Sequence, residues 1–115
     1  MQEISCLFCK IGVGEIATTI TYQDDLVVAF PDQQPKAPIH ILVIPKKHIK
    51  SADDIQPADE KLVGALIFAA QQVAREAGIA ENGYRLVFNV RSHADQTVDH
   101  LHLHILGGEH LGPMA

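Results

Sequence analysis

At 115 residues, 47% apolar and 20% charged, the chain has the size and composition of one folded domain, taken as spanning 1–115. Lys and Arg number 9 against 14 Asp and Glu, a net charge of −5 with no basic cluster. That argues against a nucleic-acid partner and leaves any phosphate to local imidazoles, hydroxyls and amides. No apolar run reaches the roughly 18 residues of a membrane span, so no membrane partner is expected. Residues 1–5 lack the basic and apolar segments of a signal peptide. The expectation is a cytoplasmic protein with reduced thiols.

Cys6-Leu7-Phe8-Cys9-Lys10-Ile11 opens the chain as a turn or short helix before Gly12 and Gly14. Residues 18–23 are β-branched and read as a strand, Asp24-Asp25 as a turn, and 26–30 as a second strand ended by Pro31-Asp32. A loop with Pro35 and Pro38 leads to 39–44, a central strand buried on both faces and broken only by His40. Pro45 ends it, and Lys46-Lys47-His48 is a charged turn with both lysines solvated. Residues 62–77 form the one strong helix. Leu62, Leu66, Ala69, Val73 and Ala77 make its stripe, widened by Val63, Ile67, Ala70 and Ala74. Pro57, Asp59 and Glu60 suit its start and Gly78 its end. Residues 84–90 are a strand and 91–99 a polar loop.

His100-Leu101-His102-Leu103-His104-Ile105 then alternates strictly, the pattern of a half-buried strand. The three histidines share one face, about 6.5–7 Å apart; Leu101, Leu103 and Ile105 enter the core. No strand-helix-strand rhythm repeats, so the class is α+β: about five antiparallel strands, one long helix and a short N-terminal helix. The helix stripe is wide for one sheet face, which points to a homodimer.

A row of imidazoles is chemistry rather than packing. Neutral imidazole is a nucleophile near pH 7 that can attack phosphorus. His102, flanked by His100 and His104, is placed to form a nucleotidyl-imidazole intermediate that water cleaves. His104 and His40 can orient it or hydrogen-bond phosphate oxygens. His40 also reads as a lone core histidine. A metal bound by His102, His104 and His40 is the rival chemistry. Cys6 and Cys9 are either two small buried thiols or half of a zinc site lacking two ligands.

The motif His100-Leu101-His102-Leu103-His104-Ile105-Leu106 resembles the signature of the histidine-triad (HIT) family. Pro38-Ile39-His40-Ile41-Leu42-Val43-Ile44-Pro45-Lys46-Lys47-His48-Ile49 is similar to that family's second block. Tyr84-Arg85-Leu86-Val87-Phe88-Asn89 and Gly107-Gly108 are similar to its HINT branch. The likeness runs from about Cys6 to Gly112. It implies a dimerising nucleotide-binding fold that cleaves purine nucleoside phosphoramidates through a covalent intermediate on His102. A dinucleoside polyphosphate hydrolase and a nucleotide-binding regulatory module are the alternatives.

The resemblance further implies that Phe30 and Asp32 meet base and ribose. Asp32 reads equally as a turn aspartate after Pro31. Gln96, Thr97 and Val98 fall on the family's phosphate-contacting segment, where Ala94-Asp95 replaces the usual glycine and sets a carboxylate near phosphate. Asn89 is a further polar contact or a strand-end cap. Ile11 and Ile16 wall the base or fill the core. His48 and His100 are implied as the remaining zinc ligands beside Cys6 and Cys9, in a structural site. His93 and His110 are surface residues.

Overall fold

A computed structural model describes residues 6–14 and 18–114. The elements are α1 (Leu7–Gly12), β1 (Tyr22–Gln23), β2 (Val27–Pro31), β3 (Ile39–Pro45), α2 (Glu60–Glu76), β4 (Tyr84–Val87) and β5 (Leu103–Gly107). Single 3-10 turns lie at Ala52–Asp54, Pro57–Asp59 and Ser92–Ala94. The strands form one open antiparallel sheet in the order β1-β2-β3-β5-β4. The expected class, the five strands and both helices are therefore present.

The sheet has two buried faces because its central strands are apolar apart from His40 and His104. Val27, Ala29, Ile41, Val43, Leu101, Leu103 and Ile105 pack beneath α2, against Leu66, Ala70 and Val73. Val28, Phe30, Leu42 and Ile44 face the other way and meet Phe8, Cys9 and Ile11 of α1. Gly78 follows α2 at φ +76°, the left-handed residue that ends a helix. At the far end of β5, Gly107 lies under Ile79, whose Cδ1 stands 2.8 Å from where a Cβ would sit, so a larger residue would displace the Ile79 side chain.

Several boundaries differ from expectation for identifiable reasons. The hairpin keeps only Tyr22 and Gln23 of the first strand, opposite Ala29 and Val28. Its turn is set by Asp24, whose Oδ1 accepts from the N–H groups of Leu26 and Val27. β4 stops at Val87, opposite His104. The alternating segment enters the sheet only at Leu103, opposite Val43. Two residues further along β3 the partner is Pro45, which has no N–H to give the ladder. Leu101 N–H bonds Ile49 O instead, at 2.6 Å. His100 and His102 thus precede the strand while keeping the alternation of faces. Lys47 is not merely solvated: its ammonium lies 2.6 Å from buried Asp59, tying the end of β3 to the start of α2.

Candidate active site

The face of the sheet beneath α1 carries two groups of histidines. His104 on β5 stands opposite Leu42, and His40 lies two residues from Leu42 on β3. Diagonal neighbours across strands are within reach of long side chains, and His40 Nε2 sits 2.9 Å from His104 Nδ1. The Lys36 N–H donates to His40 Nδ1 at 3.0 Å. A neutral His40 therefore carries its proton on Nε2 and donates it to His104, whose own proton sits on Nε2. Asp32 Oδ2 lies 3.5 Å from His40 Nε2, while Asp32 Oδ1 accepts from Gln34 N–H. Asp32 thus makes the turn contact with one oxygen and faces His40 with the other.

His102 is assigned by the same reasoning. Its Nδ1 donates to the His100 carbonyl at 2.7 Å, so its Nε2 bears the lone pair. The ring is 7% exposed and lines a cleft of about 220 Å³. Leu7, Phe8 and Ile11 of α1 wall that cleft on one side, with Phe30, Asp32, Leu42, Thr97, Val98 and His104 around the rest. The edge of Phe8 meets His102 at 5.2 Å between ring centroids, and His104 lies at 5.0 Å. Burial depresses the basicity of His40, His102 and His104, the last to about 4, so the rings are neutral near pH 7.

The second group is closed. His100 is fully buried; its Nε2 donates to Pro45 O at 2.8 Å, which leaves the lone pair on Nδ1. That atom faces Cys6 Sγ at 3.2 Å, Cys9 Sγ at 3.4 Å and His48 Nδ1 at 3.2 Å; Cys9 Sγ lies 3.1 Å from His48 Nδ1. Two thiols and two imidazole nitrogens all fall within 4.8 Å of one another, a donor set that can hold a metal ion. In a tetrahedron with bonds of about 2.0–2.3 Å, neighbouring ligands lie about 3.3–3.8 Å apart, close to the separations here. Asp32, His40 and His104 are also mutually within 4.8 Å, but their imidazoles already satisfy each other in the 2.9 Å N–H···N bond.

Several expected site residues are placed elsewhere. The His100 ring does not line the cleft; its contribution there is the carbonyl that orients His102. The Gln96 side chain is spent inside its own loop: Nε2 donates to Lys50 O and Val98 O, and Oε1 accepts from Arg91 N–H. Asn89 is half-buried and off the cleft. Asp95 is exposed at φ +59°, a left-handed conformation that Asp tolerates and glycine favours. Ile16 lies outside the described residues, whereas Ile11 lines the cleft. His93 and His110 are exposed, as expected. Leu7 and Phe8 are cleft walls that no sequence motif marks directly. The i, i+3 spacing of the cysteines was the available signal, because on a helix it sets the intervening residues on another face.

An open antiparallel sheet presents neutral imidazoles in series over an apolar cleft, a scaffold organised around its histidines. The comparisons name it: the HIT domain matches residues 13–111, and the chain belongs to the HIT family. It is 48% identical over 108 residues to the purine nucleoside phosphoramidase of Escherichia coli K12, covering 94% of this chain and 91% of that one. A histidine triad protein from Clostridium difficile superposes with a TM-score of 0.96 at 43% identity, with 100% of both chains covered. A HIT family hydrolase from Clostridium thermocellum gives 0.95 at 44% identity, covering 98% of each chain.

Proposed function

We propose that this protein is a purine nucleoside phosphoramidase in which His102 is the nucleophile. The base lies between the α1 wall and Phe30, and Asp32 accepts from the ribose hydroxyls. His102 Nε2 attacks the α-phosphorus, forming an N–P bond as the P–N bond of the substrate breaks, and the departing nitrogen takes a proton from water in the open cleft to leave as the amine. Water then cleaves the nucleotidyl-imidazole and releases the nucleotide. His104 donates its Nε2–H to a phosphate oxygen and is held by His40; Thr97 and Val98 lie along the same wall. The observation that carries the reading is the 2.7 Å bond from His102 Nδ1 to the His100 carbonyl, which leaves the Nε2 lone pair at the cleft. Similarity to the E. coli phosphoramidase supports the purine assignment.

The base and ribose occupy this cleft and the leaving group lies outside it; the choice of an AMP-amine substrate over a dinucleoside polyphosphate rests on the similarity to the E. coli phosphoramidase. His102→Asn keeps the ring's volume approximately and removes its nucleophile. Release of amine from an adenosine phosphoramidate should fall at least about 10³-fold, and mass spectra of quenched turnover should lose the nucleotidyl adduct. Unchanged turnover refutes the assignment; AMP binding with no turnover by the unmodified protein favours the regulatory alternative.

Zinc held by Cys6, Cys9, His48 and His100 is part of the proposal; when bound it supplies a closed four-ligand cross-link. The chain is further proposed to act as a homodimer in the cytoplasm. Phe68 on α2, 70% exposed, and half-covered Leu86 on edge strand β4 support the dimer. Among the described residues no helix is long and apolar enough to cross a membrane. A monomeric mass at micromolar concentration by light scattering contradicts the dimer.

A further inference from the structure

We infer that the Cys6–Cys9–His48–His100 cluster is the positioning centre of the reaction as well as a staple. It fixes the carbonyl that orients His102 and the helix that walls the cleft. The inference rests on the phosphoramidase reading and the zinc assignment above.

Two physical routes join the cluster to the chemistry. The first runs through His100, whose ring is held at both nitrogens, by Pro45 O on one side and by the cluster on the other. The ring therefore has no freedom to turn while the cluster is intact. Its own carbonyl accepts the His102 proton, two residues along the chain. The residue between them, Leu101, is buried and bonded through its N–H to Ile49 O. A shift of His100 is thus passed to His102 Nδ1 with no flexible link to absorb it.

The second route runs through α1. This helix has six residues, far below the length at which a helix is stable alone. Cys6 caps it, accepting the Cys9 N–H on its sulfur at 3.2 Å. Both anchoring sulfurs belong to the cluster. Between them stand Leu7 and Phe8, which line the cleft, and the Phe8 ring touches the rings of His100, His102 and Phe30. Releasing the two sulfurs frees the cleft wall and the surface against which His102 packs.

A simple staple changes only unfolding. A positioning centre also changes the protonation site of His102 and the affinity for nucleotide in the folded protein. Zinc-loaded protein is compared with the same protein stripped by a chelator and then resupplied with zinc. The readouts are long-range proton–nitrogen spectra of the His102 ring, calorimetric binding of AMP, and turnover of adenosine phosphoramidate. Loaded protein should show His102 as the Nδ1–H tautomer. Stripping should give a mixture of tautomers, AMP binding about 10-fold weaker, and kcat/KM lower by about 10- to 100-fold, the range seen when support around a metal site is lost. Zinc should restore all three.

Stripped, folded protein with unchanged His102 signals and unchanged AMP affinity overturns the inference, as does failure to take up zinc at all. Should stripping unfold the chain, His48→Gln replaces it, removing one ligand while leaving α1 and the 100–102 segment in place. That variant should show the same shifts in smaller measure, and none of them overturns the inference. If loaded protein fails to cleave the phosphoramidate, the functional reading falls, while the tautomer and AMP affinity still decide the coupling.

Discussion

His48 and His100 on one side, and His40, His102 and His104 on the other, sit beneath the same short helix and are built from the same side chain. They are put to opposite uses. In the first group the Nδ1 lone pairs converge on each other and on two sulfurs, so nothing points outward. In the second, the partners occupy Nδ1 of each ring. The Lys36 amide holds His40, His40 holds His104, and the His100 carbonyl holds His102. The free edge of His102 therefore faces the cleft. What an imidazole does here is decided by the atom bonded to its other nitrogen.

The largest effects should come from breaking each group at its centre. His102→Asn abolishes turnover and should leave stability nearly intact. Cys9→Ala should instead lower stability, and turnover with it, because the same cluster positions His102. A site filled at about 1,000 times its dissociation constant contributes about 4 kcal/mol, and losing it should lower the urea midpoint accordingly. A Cys9→Ala protein as stable as the parent contradicts the closed reading of that group.

His40→Ala comes next. It removes the donor that fixes His104 and should lower kcat about 10²-fold with little change in KM, measured by initial rates.

Acid sharpens the contrast further. A histidine ring ordinarily titrates near 6.5, and burial brings His104 to about 4. Between those values the unfolded chain binds more protons than the folded one. Stability is thus fully present above 6.5 and is lost as pH falls toward 4, by up to about 1.4 kcal/mol per pH unit for each such ring. Urea midpoints at pH 7 and pH 5 check the slope; no fall contradicts it. Since His104 stays neutral, its Nε2–H donor should be held through the ordinary histidine range, and the turnover that depends on it should decline toward 4.

The smallest effect is expected from Gln96→Ala. It loosens the loop carrying Thr97 and Val98 and should raise KM several-fold while leaving the tautomer of His102 alone. A collapse of kcat would mean that Gln96 reaches the phosphate directly.

Much of this was legible in the residues. Alternation from His100 to Ile105 placed the histidines opposite the core leucines, and the apolar run of β3 gave a strand covered on both sides. The i, i+4 stripe gave α2. The start of β5 was not legible, because it depends on Pro45 lying opposite the segment, a fact of register rather than of local pattern. The fate of Gln96 was hidden for a similar reason. An amide near a phosphate loop looks the same whether it faces a ligand or a carbonyl 46 positions away. The two jobs of His100, ring in one cluster and carbonyl in the other, belong to different atoms of one residue, which a one-letter code does not separate.

The amide that donates to His40 has a consequence for charge. A peptide N–H can hold a lone pair but cannot carry a proton onward, so the relay from His104 through His40 ends at the Asp32 carboxylate 3.5 Å away. The row has one outlet. The Asp32 side chain is 22% exposed, so positive charge picked up beside the phosphorus during a turnover is either handed back to the reacting group or passed to bulk water through that carboxylate.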